Sequence, residues 1–232
     1  MNIQVAILAG GYGTRLKEIT LNLPKPMVRV NGIPFLEYLI KWLLKFKFNK
    51  SLLMVGHLGD QIENYFGDGR QWHLNISYSY ESPPMGTAGA LKQAEGQLEE
   101  RFLLLNGDTF LPIDYGIFMR QFVKSDRDVV IAAYDNTERV ADNNLELSSG
   151  HIIKQYGGLG GNLTHVDAGA YGFKRKVIES LPAGKVMGLD SVYQRLILEK
   201  RLAACPTNQR YYDIGTPERL ETFRKWVAGN KP

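Results

Sequence analysis

Cysteine and long apolar runs are scarce in this chain of 232 residues. Cys205 is its single cysteine, so the sequence has neither a disulfide framework nor a cysteine-rich metal site. No apolar run approaches the roughly 18 residues that a membrane-spanning helix needs. The N-terminus lacks the basic region that precedes the apolar part of a signal peptide. We therefore expect a cytoplasmic protein with no membrane partner.

A strong charge of one sign is also absent. The chain has 28 Lys and Arg against 24 Asp and Glu, a formal net charge of +4, and its isoelectric point is about 9.0. This balance suits anionic ligands but is too weak to indicate a nucleic-acid partner. The densest basic cluster has the spacing of a solvated helix face and consists of Lys41, Lys45, Lys47 and Lys50.

Apolar runs of strand length alternate with helical patterns along the first part of the chain. The predicted strands are 3–9, 51–55, 75–80, 102–105 and 129–133, and the predicted helices are 34–48, 60–66, 88–98 and 113–124. A hairpin (145–147 with 152–156), a strand (166–173), a helix (190–200), two short strands (202–205 and 211–212) and a C-terminal helix near 216–228 follow. The pattern predicts one α/β domain over 1–232, with a Rossmann-like, mostly parallel sheet flanked by helices.

A glycine-rich loop comes directly after the first predicted strand. Gly10, Gly11 and Gly13 let the backbone turn sharply and approach a ligand, and successive N–H groups in such a turn form an anion cradle. Arg15 and Lys25 add positive charge beside it. The loop matches neither the P-loop nor the dinucleotide fingerprint. It predicts a phosphate site; a strand-to-helix turn without a ligand is the alternative.

Asp108 is the first candidate for a metal-binding carboxylate, because it follows the buried strand 102–105. Ligands of parallel sheets bind beyond the carboxyl ends of the strands, where both the glycine loop and Asp108 are expected. The alternative is a turn aspartate, since Asn106-Gly107-Asp108 is a good turn sequence.

Three segments resemble the signature of the sugar-1-phosphate nucleotidyltransferases. They are Leu-Ala-Gly-Gly-x-Gly-Thr-Arg-Leu over 8–16, Pro-Lys-Pro-Met over 24–27 and Asp-Ile-Gly-Thr-Pro over 213–217, so the resemblance covers nearly the whole chain. It implies a glycosyltransferase-A-like fold that joins a nucleoside triphosphate to a sugar 1-phosphate and releases pyrophosphate. The nucleotide half would be about 1–110 and the sugar-phosphate half about 111–215.

The resemblance also implies roles for individual residues. Asp108 and Asp213 would hold Mg²⁺, Arg15 would contact the leaving pyrophosphate, and Lys25 would meet the phosphates at the reacting centre. For Asp213 the alternative is a helix cap, although Thr216 is better placed to cap. The catalytic set is Arg15, Lys25 and Asp108. The nucleotide-binding set is Leu8, Ala9, Gly10, Gly11, Gly13, Thr14, Arg15, Lys25, Gly56, Glu81, Met85, Gly86, Thr87, Asn106 and Gly107.

The sugar side departs from the family pattern. The Glu-Lys pair whose lysine meets the sugar phosphate is missing, and we expect Lys154 to replace it, with Lys174 and Arg175 as alternatives. The usual Asn-Ala-Gly reads Asp-Ala-Gly here, so Asp167 would only accept hydrogen bonds from sugar hydroxyls. The predicted sugar-phosphate-binding set is Lys154, Asp167, Ala168 and Gly169.

Among family members, the chain looks most like the compact guanylyltransferases that act on D-glycero-α-D-manno-heptose 1-phosphate. A mannose-1-phosphate guanylyltransferase and a compact uridylyl- or cytidylyltransferase are the alternatives within the family. A non-catalytic nucleotide-sugar sensor is an alternative of another class, which the presence of Arg15, Lys25, Asp108 and Asp213 together disfavours. The oligomeric state is left open, with a homodimer as one option.

Overall fold

The computed structural model describes residues 3–11, 13–16, 20–158 and 160–230, and only the backbone of Thr14. The predicted role of the Thr14 side chain therefore lies outside the described part, as does Leu159 in the glycine-rich segment 157–161. The strands are β1 (Gln4–Leu8), β2 (Arg29–Val30), β3 (Ile33–Pro34), β4 (Lys50–Val55), β5 (Asn75–Tyr80), β6 (Arg101–Asn106), β7 (Thr109–Phe110), β8 (Val129–Tyr134), β9 (Leu145–Leu147), β10 (Ile153–Tyr156), β11 (Val166–Lys174), β12 (Leu202–Thr207) and β13 (Tyr212–Asp213). The helices are α1 (Phe35–Lys45), α2 (Gly59–Phe66), α3 (Gly86–Gln93), α4 (Tyr115–Lys124), α5 (Lys176–Glu179), α6 (Leu189–Leu198) and α7 (Pro217–Asn230).

Within the described residues, seven strands form the central sheet in the order β12-β8-β11-β6-β1-β4-β5. Only β11 runs antiparallel to both of its neighbours, and the other pairings are parallel. The predicted mostly parallel α/β sheet is therefore confirmed. The parallel strands all end at one edge, where a ligand site is expected.

Both faces of the sheet are covered by apolar side chains. Val5 and Ile7 of β1 point into a core with α1, α2, α4 and α7, whereas Ala6 points into the core with α3, α5, α6 and the β9–β10 hairpin. This alternation is what a strand with two buried faces requires. The hairpin was predicted from the sequence, and the structure confirms it.

Local contacts stabilise two helices, and the cap of the second one was predicted from the sequence. Glu37 and Lys41 form an i,i+4 ion pair of 2.7 Å on α1, with the acidic residue on the favourable N-terminal side. At the start of α7, the Arg219 backbone N–H donates to the Thr216 hydroxyl over 3.3 Å. Thr216 therefore caps α7, which leaves the Asp213 carboxylate available for other partners.

A short two-stranded ribbon positions the candidate site at the edge of the central sheet where its parallel strands end. β7 pairs antiparallel with β13, which sets Asp213 opposite Thr109. The Ile214 N–H donates to the Asp108 carbonyl over 3.1 Å. Asp108 and Asp213 are more than 100 positions apart in sequence, yet they lie on neighbouring rungs of this ribbon.

Candidate active site

The backbone segments that follow β1, β4 and β6 approach one another closely at the glycine loop. A Cβ on Gly10 would stand 3.2 Å from the Gly56 nitrogen, and a Cβ on Gly107 would stand 2.6 Å from the Leu8 carbonyl oxygen. The Gly107 N–H donates to that same oxygen over 2.9 Å. Glycine is required at these positions because a side chain would push the crossing segments apart.

The segment after β5 forms the opposite wall. Glu81 accepts a hydrogen bond of 2.9 Å from the Met85 N–H, and burial raises the pKa of this carboxyl above its ordinary value. Gly86 adopts a φ of +72°, and a Cβ there would stand 2.6 Å from the Met187 carbonyl oxygen. The Thr87 hydroxyl accepts from the Leu189 N–H over 2.9 Å, which ties the start of α3 to α6.

Between these walls lies a cavity of about 340 Å³. Its size fits a small-molecule ligand. The described lining residues are Leu8, Ala9, Gly10, Gly11, Lys25, Pro26, Glu81, Pro84, Gly86, Thr87, Asn106 and Asp108. Most predicted nucleotide-binding residues therefore meet here. The predicted residues Gly13, Gly56, Met85 and Gly107 do not line the cavity, but each of them contacts a residue that does.

Lys25 and Asp108 form an ion pair on the cavity floor. Lys25 lies on a turn of 3₁₀ helix over 25–27 and is buried, while the Asp108 side chain is half-buried. The second carboxylate oxygen of Asp108 accepts from the Thr109 hydroxyl over 3.0 Å. A buried lysine is stable only with such a partner, so the pair keeps a positive charge inside the cavity.

Asp213 also has a cationic partner. Nη1 of Arg219 lies 3.1 and 3.3 Å from the two carboxylate oxygens, and the Gly215 N–H donates to one of them over 2.8 Å. Nη2 of Arg15 lies beside this turn, 3.3 Å from where a Cβ on Gly215 would be. Asp213 itself lines a smaller cleft together with Arg219.

These carboxylates suit a magnesium ion. In the part of the chain that the structure describes, no group of three or more His, Cys, Asp or Glu side chains could hold a metal. Mg²⁺ needs no such cage, because one or two carboxylates together with substrate phosphates and water complete its octahedron. Asp108, which lines the main cavity, and Asp213, which lines the smaller cleft, lie on neighbouring rungs and provide the hard oxygen donors that it prefers.

On the sugar side, Asp167 is held by two tyrosines. Its Oδ2 accepts from the hydroxyls of Tyr156 over 2.9 Å and Tyr171 over 3.0 Å, and its Oδ1 accepts from the Gly169 N–H over 2.9 Å. Burial raises the pKa of Asp167 to about 6, and these hydrogen bonds limit the rise. Tyr193 packs 4.8 Å from the Tyr156 ring, between centroids. Sequence reasoning missed this cluster, because its members lie on β10, β11 and α6 and share no motif.

The segment Asp167–Gly169 packs against the two residues that flank Gly107 and Asp108. Ala168 is fully buried, and a Cβ on Gly169, whose φ is +74°, would stand 3.0 Å from the Thr109 side chain and 3.1 Å from that of Asn106. Both neighbours flank the Asp108 turn. The structure thus brings the predicted sugar segment next to the predicted nucleotide segment.

Of the three cations predicted for the sugar side, Lys154 lies apart from the adjacent residues Lys174 and Arg175. Lys154 projects from β10 with 57% of its side chain exposed, and its Nζ is 3.8 Å from Glu146 Oε1. Lys174 pairs in register with Arg101, the first residue of β6, whereas the cavity lies at its last residue, Asn106. The five-residue separation along the strand is about 17 Å. Lys174 and Arg175 therefore lie at the far end of the sheet, and their proposed role at the sugar phosphate was wrong.

Comparison with known proteins decides the family. The family model described as nucleotidyl transferase matches residues 4–142, which is more than half of the chain. The chain belongs to the nucleotidyl transferase family. A D-glycero-alpha-D-manno-heptose 1-phosphate guanylyltransferase of Campylobacter jejuni is 29% identical, over 95% of this chain and 98% of that protein.

Two further comparisons match this nucleotidyl transferase to a uridylyltransferase and to a solved structure. The N-acetylmuramate alpha-1-phosphate uridylyltransferase of Neisseria meningitidis is also 29% identical, over 94% of this chain and 96% of that protein. The crystal structure of HddC from Yersinia pseudotuberculosis complexed with GMP-PN has a TM-score of 0.81 and 27% identity, over 97% of this chain and 99% of that chain.

The nucleotidyl transferase is therefore a sugar-1-phosphate nucleotidyltransferase, whose substrates are a nucleoside triphosphate and a sugar 1-phosphate. The family resemblance predicted from the signature segments is confirmed. Among the described helices, none combines the length and apolar character needed to cross a membrane.

Proposed function

We propose that this enzyme transfers GMP from GTP to D-glycero-α-D-manno-heptose 1-phosphate and releases pyrophosphate. The observation that carries the proposal is the full-length match to the Campylobacter guanylyltransferase, supported by the match to HddC with its bound GMP-PN. In this reaction an oxygen of the sugar phosphate attacks the α-phosphorus while the bond to the β-phosphate breaks. Such transfer depends on positioning and charge stabilisation.

The nucleotide would occupy the cavity of about 340 Å³. The N–H groups of Gly10 and Gly11 would face the phosphates, and the backbone near Met85, Gly86 and Thr87 would read the base edge. Arg15, beside the Gly215 turn, would stabilise the departing pyrophosphate. This arrangement leaves the Asp167–Gly169 side of the cavity for the sugar phosphate.

Asp108 and Asp213 would hold Mg²⁺. When bound, the ion lowers the repulsion between the two anionic substrates and helps to orient them. Lys25 serves the same end from the protein side, because its ammonium group is fixed and buried where negative charge builds up in the transition state. A cytoplasmic location and a homodimer remain predictions.

A screen of pyrophosphate release tests the proposal. GTP, UTP, CTP, ATP and dTTP are each combined with a panel of sugar 1-phosphates that includes the heptose, mannose, glucose and N-acetylmuramate derivatives. GTP with the heptose 1-phosphate should give the highest kcat/KM, and Asp108→Asn measured in parallel gives the background.

The second candidate is a compact uridylyltransferase, favoured by the equal identity to the Neisseria enzyme. Preference for UTP in the screen would replace the guanylyl assignment with this candidate. If no pair releases pyrophosphate above the Asp108→Asn background, the transfer reaction itself is contradicted.

A further inference from the structure

Arg219 lines two clefts outside the main cavity. It lines the small cleft that contains Asp213 and also an open, polar cleft of about 650 Å³ at the carboxyl end of β8. Its side chain is 42% exposed, so the guanidinium reaches solvent while Nη1 contacts both oxygens of Asp213. The first turn of α7, capped by Thr216, fixes its backbone.

Other cations around this edge have different placements. Lys25 is paired with Asp108 inside the main cavity. Arg210 donates to Glu138 over 2.9 Å and covers the Tyr212 ring at 5.4 Å. Lys154 extends from the hairpin into solvent. Arg219 contacts a proposed metal ligand and also opens onto the cleft at the carboxyl end of β8, where Arg139 and the carboxylates Asp135 and Asp142 line the wall as well.

Metal binding at Asp213 competes with its pairing to Arg219, just as metal binding at Asp108 competes with its pairing to Lys25. A divalent cation on Asp213 would stand close to the guanidinium, and like charges at such distances repel each other. The sugar phosphate brings about two negative charges, and a guanidinium binds phosphate through two parallel hydrogen bonds. When the metal and the sugar phosphate both bind, Arg219 therefore exchanges the Asp213 carboxylate for the phosphate, which is the stronger partner.

We infer that Arg219 binds the phosphate of the sugar substrate, and that without ligands it occupies the Asp213 carboxylate in place of the metal. The inference rests on the proposed function for the roles of Asp213 and the sugar phosphate. In this inference Arg219 supplies the positive charge for the sugar phosphate that the missing Glu-Lys lysine would otherwise supply.

Binding of Mn²⁺ to the substrate-free enzyme, followed by electron paramagnetic resonance, gives the first readout. Arg219→Gln removes the competing cation, so the Mn²⁺ affinity should rise about three- to ten-fold, whereas Arg219→Lys should leave it nearer to wild type. Arg224→Gln is the matched control, because Arg224 lies on the same helix and its ion pair with Glu221 is away from Asp213. A lower Mn²⁺ affinity in Arg219→Gln would overturn the inference, since Arg219 would then only orient Asp213.

Steady-state kinetics with the best substrate pair of the wild type give the second readout. In Arg219→Gln the KM for the sugar phosphate should rise about ten- to a hundred-fold, as expected for the loss of a charge-assisted hydrogen-bonded pair, with the nucleotide KM unchanged. Arg219→Lys should recover part of the loss. An unchanged sugar-phosphate KM in Arg219→Gln, or a rise in Lys154→Ala alone, contradicts the inference.

The two readouts separate this inference from the proposed function. If the wild type prefers another pair, the guanylyl assignment fails but the Arg219 test proceeds with that pair. If the wild type transfers to no sugar 1-phosphate, the proposed function fails, and the Mn²⁺ measurement still decides whether Arg219 competes for Asp213. Thermal unfolding checks the fold of each variant, and Arg219→Lys provides the kinetic comparison if Arg219→Gln is unstable.

Discussion

At the scale of single residues, the proposed chemistry of this site depends on Lys25 and Asp108. The lysine is buried and its carboxylate partner is half-buried, so the positive charge is fixed next to the cavity. A fixed charge in a partly dry site needs no reorganisation during the reaction, and it acts most strongly on the state with the greatest negative charge. The contribution of Lys25 should therefore appear in the chemical step.

We expect Lys25→Ala to lower kcat about 10²- to 10³-fold, by analogy with the removal of an oxyanion donor, while the nucleotide KM changes far less. Steady-state kinetics with the preferred substrate pair measure both quantities. Lys124→Ala, which changes an exposed lysine at the end of α4, is the control. An unaltered kcat together with weaker nucleotide binding would refute the assigned role.

Asp167 should make the stability of the protein depend on pH. Its pKa is raised to about 6, so between the ordinary value of 3.8 and that value the unfolded chain loses the proton while the folded chain keeps it. The free energy of unfolding therefore falls as the pH rises through this window, by about 3 kcal/mol at most. Asp167→Asn removes this dependence.

Urea unfolding between pH 4 and 7 measures the effect. The stability of Asp167→Asn relative to wild type should increase over this range, with Asp126→Asn, at an exposed position, as the control. A stability difference that is flat with pH would mean that Asp167 is ionised at its ordinary pKa in the folded protein.

At the level of elements, the glycine crossings hold the strand ends in register with the loops that follow them. A Cβ on Gly107 would meet the Leu8 carbonyl oxygen at 2.6 Å, and this oxygen belongs to the β1 strand that leads into the glycine loop. Gly107→Ala should cost about 1–3 kcal/mol of stability, as overpacking does. It should also raise the nucleotide KM, because the glycine loop and the Asp108 turn move apart.

Gly96→Ala is the matched control, since a Cβ there would have no neighbour within 4 Å among the described residues. Denaturant unfolding and nucleotide KM are compared for the two variants. If Gly107→Ala has the stability and the nucleotide KM of the wild type, neither quantity depends on the close approach at Gly107.

Local patterns made the helices predictable, with bounds that shifted by a few residues. The 34–48 pattern became α1 (Phe35–Lys45), and the predicted 88–98 helix became α3 (Gly86–Gln93) followed by a 3₁₀ turn. The antiparallel insertion of β11 between β6 and β8 was not predictable in the same way. The direction of β11 depends on how the chain passes from β8 through the β9–β10 hairpin, and not on the composition of β11 itself.

Only the part of the site that local sequence patterns mark could be predicted, namely the glycine loop and the carboxylates that follow strands. The pairings of Lys25 with Asp108 and of Arg219 with Asp213 join distant parts of the chain, and no spacing in the sequence encodes them. The tyrosines around Asp167 were missed for the same reason. Lys154 was chosen from its neighbourhood in the sequence, and its role stays a prediction.

In the molecule as a whole, the last helix, α7, packs against the elements that carry the candidate site. Phe223 of α7 packs against Phe35 at 4.9 Å and Phe110 at 5.3 Å, between ring centroids. These contacts tie α7 to α1 and to β7, which directly follows Asp108. The aromatic packing therefore fixes Asp213 and Arg219 relative to the Lys25–Asp108 pair, and one domain holds both substrate sides together.

The central claim is metal-dependent nucleotidyl transfer at the edge where Asp108 and Asp213 meet. Pyrophosphate release from the preferred substrate pair, measured with Mg²⁺, after chelation and in Asp108→Asn, tests it most directly. We predict that chelation abolishes turnover, that added Mg²⁺ restores it, and that Asp108→Asn lowers kcat by at least about 10²-fold, while Asp126→Asn behaves like wild type. Turnover without a divalent metal, or a near-wild-type rate in Asp108→Asn, would contradict the account.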